Sequence, residues 1–593
     1  MTEAQTIKTD VLVIGGGGAG FRAAIAAREK GVKTMMISKG PLARCGATPM
    51  AGADYTLDGS SMSRIEGLPG DPDDSKEKVF NDIVTQGFYL NNQKLVEHYI
   101  DRAQQCLQEL IDWGLKIKLS DQRMIFTSGI HLMNVLLRKA KKIGVDLVED
   151  VAIFELLTKN GEVNGALGID IKSGQFIRYQ AKAVVMATGG WHKAFWPNTG
   201  MRDLSGEGLA MAFRAGAEIG NMEFITFICN AFYSPPIWRG SIAPYILVTT
   251  CGGQFTNAKG DDILASYDPL LQEKGLLTEW NKSFISHASA KEIRDGKGSP
   301  NGGVYYSRGE VPWNFIEAVS NVVFPNWKYK AMDLSKWKEM LENNIPAEVG
   351  PAVEYFEGGM VVNERMETTL PGLYGAGECV LGVFGANRVF SAITEIFVQG
   401  LDAGQNAADH ADKLTEQPLD ANQCRQIEEI LLQPLQRKEG IQPASLRRTM
   451  AEKAHQQLGP IRHGYELTDF LTYLEGIKVD DLPELASISK SLTYNKEWIE
   501  ALELINMQQL LEISTRCAIN RTESRGVHYR EDYPDTDNDQ WLKESRVKFS
   551  DGEPEFGFNP VETTHMSPPS GKVPYLDFMK QMMAAHSDTG GKH

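Results

Sequence analysis

Gly15-Gly16-Gly17-Gly18-Ala19-Gly20 is the stretch whose reading decides the fold. It follows an apolar, β-type run at residues 10–14 and opens residues 19–30, whose small and apolar spacing is that of a buried helix. A second strand is expected at 34–37, so the chain begins as a βαβ unit. Gly15, Gly17 and Gly20 make a GxGxxG pattern. The first glycine permits the tight turn, the second lets a pyrophosphate approach the backbone, and the third lets the helix pack on its strand, with the diphosphate at the helix N-terminus. The second strand ends in Ser38-Lys39, where many NAD sites carry an acid, and this disfavours a simple NAD enzyme.

Working outward, Ala187-Thr188-Gly189-Gly190 ends another β-type run, and Pro371-Gly372-Leu373-Tyr374-Gly375-Ala376-Gly377-Glu378 ends a third far downstream. Three glycine corners returning to one nucleotide site fit an FAD domain interrupted by an insertion. The insertion is visible between residues 224 and 351, where aromatics, proline and glycine rise and periodicity weakens. Helices are expected at 76–86, behind the turn and N-cap at 69–75, and at 93–113 and 131–143; strands at 146–155, 163–170 and 175–187. A further helix is expected near 391–410, an almost continuously helical bundle over 422–521, and an amphipathic, Met-rich helix at 575–585.

Composition narrows the class. The 593 residues are 42% hydrophobic and 23% charged, enough for several domains with a large core. Seventy-seven acidic against 61 basic side chains give a net charge of -16, which repels phosphate backbones and argues against nucleic-acid binding. The seven cysteines have no CxxC pair, so neither a metal site nor an in-chain iron–sulfur cluster is expected, and their sparseness suits a reducing cytoplasm. No secretion signal and no membrane span is expected, so any membrane association would come through a partner.

At this point the residues resemble the flavoprotein subunits of succinate dehydrogenase and fumarate reductase, with L-aspartate oxidase and the adenylylsulfate reductase flavoprotein as relatives. The resemblance is carried by the glycine-rich opening, the Ala187 corner, Ser205-Gly206-Glu207-Gly208 followed by Arg214-Ala215-Gly216-Ala217, Met222-Glu223, and Gly358-Gly359-Met360. It continues in the Pro371 segment, Gly385-Ala386-Asn387-Arg388, and Glu523-Ser524-Arg525-Gly526-Val527-His528-Tyr529-Arg530. It implies an α/β chain, α+β overall: a Rossmann-like FAD-binding domain in two parts (1–223 and 352–415), a mobile capping domain (224–351), a helical domain (416–543) and a C-terminal extension (544–593). Matched residue by residue, it implies flavin contacts from Gly15, Gly17, Gly18, Ala19, Gly20, Ser38, Lys39, Thr48, Gly52, Ala53, Val151, Ala152, Ala187, Thr188, Gly189, Glu207, Glu378, Arg388, Ile393 and Thr394. Arg388 falls on the family's substrate-carboxylate arginine, whose planar fork grips a carboxylate or another oxyanion in two hydrogen bonds.

The departures carry as much information. Where the dehydrogenases attach FAD through a histidine, this chain reads Arg44-Cys45-Gly46-Ala47-Thr48, so noncovalent FAD is expected. The relatives' proton-donor arginine is expected just before Val248-Thr249-Thr250-Cys251-Gly252-Gly253-Gln254-Phe255, where none stands; one cap histidine falls near Phe227-Ile228-Cys229, and a later one aligns with Glu354. A positioned proton donor contributes ~10²–10⁴-fold, so ordinary fumarate reduction is not expected. Arg239, Glu354 and His192 are the candidates for a different chemistry, and Val389-Phe390-Ser391 is nearer to the adenylylsulfate reductase branch. The expected function is a cytoplasmic flavoprotein subunit that exchanges two electrons between FAD and a small oxyanionic substrate, passing them to or from an iron–sulfur partner and further redox subunits. Two alternatives stand beside it: an electron-relay module with a degenerate substrate site, and a soluble enzyme resembling L-aspartate oxidase.

Overall fold

A computed structural model describes residues 5–51, 54–243, 252–277, 280–323, 328–329, 332–333, 335–388, 390–550 and 552–587. Val11–Ile14 lies in the middle of a five-stranded parallel sheet, with Thr34–Ile37 and then Asp146–Val148 on one side and Ala183–Met186 and then Leu373–Gly375 on the other. All four residues of the central strand are buried, as expected where a parallel sheet is covered on both faces. The helix Gly18–Glu29 follows directly. It packs on the helix Ala392–Ala411 through small residues. A Cβ on Gly404 would lie 2.2 Å from the Ala23 carbonyl oxygen, and one on Gly400 would lie 2.8 Å from that of Ala19. The second part of the nucleotide domain therefore closes on the first with backbones nearly touching.

Two expected strands are each two strands. The run at 146–155 divides into Asp146–Val148 and Val151–Lys159, because Asp150 adopts a left-handed backbone (φ 61°) and turns the chain from the parallel sheet into a second, mixed sheet, where Val151–Lys159 pairs antiparallel with Glu162–Asp170. The run at 175–187 divides likewise into Phe176–Gln180 and Ala183–Met186. Its first half pairs with Gln5–Lys8 and its second with Val11–Ile14, and both chains change sheet side by side, with Thr9 N donating to Gln180 O and Lys182 N to Asp10 O. The expected helices occur as Lys76–Gln86 (N-cap Ser75), Gln93–Asp112, Gly129–Ile143 and Ala392–Ala411.

The inserted segment forms its own antiparallel sheet, in the order Ile225–Phe232, Ala347–Phe356, Val304–Ser307, Gln254–Thr256, with the helix Asn281–Arg294 packed against it. The strand Ala347–Phe356 runs without a break past residue 351, so the insertion is joined to the nucleotide domain by continuous β structure. The helical region comprises Ala421–Gln436, Pro443–Gln457, Gly464–Gly476 and Lys496–Asn520. Beyond it, Lys543–Ser550 and Glu553–Pro560 form a hairpin that extends the sheet of Ile219–Gly220 and Gly359–Met360. The terminal helix Tyr575–Ser587 buries Phe578, Met579 and Met583 against the inserted segment and Phe88. Among the described residues, no helix is long and apolar enough to cross a membrane.

Candidate functional site

The glycine turn is built from steric necessity. Gly15 has φ +127°, and a Cβ there would lie 2.1 Å from the Ala187 carbonyl oxygen; one on Gly20 would lie 1.9 Å from the Gly15 carbonyl oxygen. These two positions lock the first corner against the second, and both require glycine. At Gly17 the nearest atom to a built Cβ is Thr48 Oγ1 at 3.7 Å, so the backbone there is open to close approach. Gly18 N donates to Thr48 Oγ1, Ser38 N to Val148 O and Val151 N to Ser38 O, which gathers the turn, Thr48, Ser38, Val151 and Ala152 in one neighbourhood. The third corner joins it where a Cβ on Gly377 would lie 3.0 Å from the Cβ of Ala19, and Gly190 N donates to Glu378 Oε2. Thr394 Oγ1 bonds the backbone of Thr56 in both directions, to its carbonyl and from its N–H, fixing Ile393 and Thr394 at the start of their helix. Gly52 and Ala53 lie outside the described residues.

Lys39, at the end of the second strand, donates to Ser205 Oγ (2.7 Å), Glu207 Oε1 (2.5 Å) and Glu503 Oε1 (2.8 Å). Lys193 bonds the other oxygen of Glu503 at 2.5 Å. Burial would raise the Glu503 pKa, but these two lysines outweigh it and hold the carboxyl down at about 2. Gly46 has φ +74° and donates its N–H to Asp203 Oδ2.

The second concentration of chemistry lies between the inserted segment and the nucleotide domain. Arg388 is 4% exposed, with its guanidinium carbon 3.5 Å from the centre of the Tyr355 ring and 4.9 Å from that of Phe384. Its Nη2 lies 3.5 Å from Glu395 Oε2, its Nη1 4.0 Å from Glu357 Oε2, and Nη1 has no hydrogen-bond partner among the described residues. Burial alone would lower the Arg388 pKa; Tyr355, Glu357 and Glu395 outweigh it and raise it. Glu395 is held by Tyr355 Oη, Val383 N and Gln399 Nε2 as well. Burial pushes Glu357 up to about 7 and Glu378 up to about 8, each against the pull of Arg388. Burial also raises Asp54.

Glu354 belongs to this cluster. Its charge acts on Arg388, Asp54 and Glu378, and its Oε2 lies 3.0 Å from Lys282 Nζ. His192 Nε2 donates to the Glu354 carbonyl (2.7 Å) and lies 3.4 Å from Glu378 Oε1, so it fixes the strand from behind. Arg239 stands apart from these groups: it stacks on Tyr233 (4.6 Å), donates to Asn301 O and lines an open groove with Trp196, Arg448, Glu452 and His455. The sequence reading passed over Lys282, Asp54, Glu357 and Glu395. Lys282 is the telling omission: it is 11% exposed on a helix whose neighbours Trp280, Ser283, Phe284, Ile285 and Ser286 are buried. Its place in the first turn, followed directly by the apolar Phe284 and Ile285, distinguishes it from Lys291 and Arg294 at the other end of the helix. Residues 244–251, which include the stretch aligned with the relatives' cap arginine, lie outside the described residues.

Sequence and structure comparisons follow the same lines. The family described as FAD binding domain matches residues 10–127 and 118–392, and the family described as Fumarate reductase flavoprotein C-term matches residues 447–574. The chain is 29% identical over 556 residues to one subunit of the Fumarate reductase (CoM/CoB) of Methanothermobacter marburgensis, covering 90% of this chain and 96% of that one. The Mycobacterium smegmatis Sdh1 complex in the apo form superposes with a TM-score of 0.82 at 26% identity, covering 95% of this chain and 96% of that one. The adenylylsulfate reductase of Archaeoglobus fulgidus shares the fold, with a TM-score of 0.77 at 21% identity over 95% of this chain and 98% of that one. The open backbone at Gly17, beside a helix N-terminus and three converging corners, suits FAD as the cofactor. The chain therefore belongs to the fumarate reductase and succinate dehydrogenase flavoprotein family and is an FAD-dependent oxidoreductase.

Proposed function

We propose that this chain is the flavin-bearing subunit of a multi-subunit oxidoreductase acting on an oxyanionic substrate gripped by Arg388. The observation that carries the reading is the open Nη1 of that buried guanidinium. A buried donor without a partner costs on the order of 1–3 kcal/mol, more when charged, and an incoming anionic oxygen would remove that cost. Glu395 keeps the arginine charged and oriented through Nη2, while Tyr355 and Phe384 restrict its plane. Bound FAD supplies the two-electron redox chemistry. Gly15, Gly17, Gly18, Ala19 and Gly20 would hold its diphosphate, with Thr48, Ser38, Lys39, Val151, Ala152, Ala187, Thr188, Gly189, Glu207, Glu378, Ile393 and Thr394 around the remainder. Gly46 offers no side chain for attachment, so the cofactor is held noncovalently.

Lys282 takes the part of proton donor in this reading, and Arg239 is given none. The lysine reaches the cluster from the inserted segment, where its ammonium lies 3.0 Å from Glu354 Oε2. Together with Arg388 it also acts on Asp54 and Glu357, so both cations bear on one small volume. Electrons enter or leave through a separate iron–sulfur protein; that the Methanothermobacter relative is itself one chain of a larger enzyme supports partner chains. The chain is a cytoplasmic protein in this reading.

The experiment is a titration of the holoprotein with acetate, propionate and sulfite, followed by calorimetry and by the visible flavin band. Arg388→Lys and Arg388→Ala should keep one FAD per chain while losing about 10-fold and at least about 10²-fold in anion affinity, since lysine keeps the charge without the planar fork. Unchanged affinity in Arg388→Ala would favour the electron-relay alternative.

A further inference from the structure

The charge of the Arg388 site specifies its substrate more closely. Five carboxyl groups, Asp54, Glu354, Glu357, Glu378 and Glu395, surround two cations, Arg388 and Lys282. Each cation already has a carboxylate against it: Glu395 on Arg388 Nη2 and Glu354 on Lys282 Nζ. No positive charge is left over among the described residues. What remains open is Arg388 Nη1, whose two N–H groups have no partner among the described residues and suit one anionic group. A second anionic group on the same small molecule would meet Glu354, whose carboxylate lies 3.0 Å from Lys282 Nζ. Like charges brought together in a desolvated site act as a barrier to the wrong ligand. Glu357 and Glu378, raised by burial, add acceptor-rich surface but no cation.

We propose that the substrate carries a single carboxylate or equivalent anion, and that Glu354, clamped on Lys282, is the residue that excludes a second one. The inference rests on the reading that Arg388 grips the substrate anion. It makes the site one for a monocarboxylate, saturated or α,β-unsaturated, whose far end is uncharged. That end would lie on the side of Lys282 where Phe227, Tyr529 and Tyr575 line a small cavity with it. Glu354 is then a specificity residue: its carboxylate stands where a dicarboxylate site needs a donor or a cation.

The test uses FAD-loaded protein and matched pairs of ligands that differ by one carboxylate: acetate with malonate, propionate with succinate, acrylate with fumarate. Affinities are read by calorimetry and by perturbation of the flavin band, and the quantity of interest is the ratio of Kd values within each pair. Wild-type protein should bind the monocarboxylate at least about 10-fold more tightly in every pair. Glu354→Gln, isosteric and uncharged, should shrink that ratio about 10-fold, and Glu354→His should shrink it further. Dicarboxylates binding as tightly as their partners in the wild type would overturn the proposal, and so would an unchanged ratio in both variants. Should no carboxylate or sulfite bind at all, the grip by Arg388 fails and the proposal fails with it. A preference for dicarboxylates that depends on Arg388 would instead leave the grip standing and remove only the exclusion by Glu354.

Discussion

Two buried ionic clusters in this chain are built to opposite rules. Around Lys39, two cations meet two carboxylates: Lys39 bonds Ser205, Glu207 and Glu503, and Lys193 bonds Glu503. The environment favours the charged forms of Lys39 and Glu503, raising the first and lowering the second to about 2 despite burial. Around Arg388, carboxyls outnumber cations, Glu357 and Glu378 are pushed toward their neutral forms, and one guanidinium nitrogen has no partner among the described residues. The first cluster ties the nucleotide domain to the helical domain, and its charges are already matched within the protein. The second leaves an unsatisfied donor beside perturbed carboxyls, the combination that makes it the candidate site.

The contrast breaks most sharply at Lys282. Lys282→Met should leave FAD stoichiometry intact and reduce dye-coupled reduction of acrylate by ~10²–10⁴-fold, the usual contribution of a positioned proton donor. Lys282→Arg should recover part of the rate and move the alkaline limb of the pH–rate profile upward, a signature that a merely structural lysine would not produce. Wild-type turnover in Lys282→Met would remove the lysine from the chemistry. At the balanced cluster the effect is on stability. Lys39→Met leaves Glu207 and part of Glu503 uncompensated and should cost about 3–5 kcal/mol of unfolding free energy, as for one-sided removal of a buried pair. Chemical denaturation of the holoprotein measures it, and a loss below about 1 kcal/mol would mean that water reaches the cluster.

How much could be read beforehand follows the same division. Gly15 and Gly20 were legible because a single residue type satisfies the contacts made there, so the requirement is written in one letter. The helices behind Ser75 and Ser391 were legible because a cap and a periodic face announce themselves locally. Asp150 was not: nothing local says that an aspartate will take φ 61° and send the chain into a second sheet. Lys282 and Glu354 were harder still, because their meaning arises only when a helix of the insertion crosses a strand 72 positions later in the chain (354 against 282). Glu354 was singled out as a departure from a histidine, but a lysine in a helix ordinarily reads as solvated surface.

The smallest effect expected is a slope rather than a loss. Burial raises Glu378 to about 8, so the folded protein holds a proton that the unfolded chain, with an ordinary carboxyl pKa near 4.5, releases. Below about pH 4.5 both states are protonated and the group contributes nothing to the pH dependence. Between about 4.5 and 8 the unfolded state ionises while the folded state does not, so unfolding is favoured progressively as pH rises; above about 8 the penalty levels off. One such group contributes about 1.4 kcal/mol per pH unit inside that window. Glu357, raised to about 7, adds a similar slope that ends earlier. Unfolding free energies of the holoprotein measured at pH 5.5, 6.5 and 7.5 should therefore fall more steeply for the wild type than for Glu378→Gln, which retains the shape without the titration. The Lys39 cluster sets the opposite sign: Glu503, held at about 2, is a stabilising charge present above about pH 4.5 and lost only as pH falls toward 2, so it leaves this window flat. Equal slopes in wild type and Glu378→Gln would mean that Glu378 is ionised in the folded protein, and the two clusters would then differ in geometry but not in the charge they tolerate.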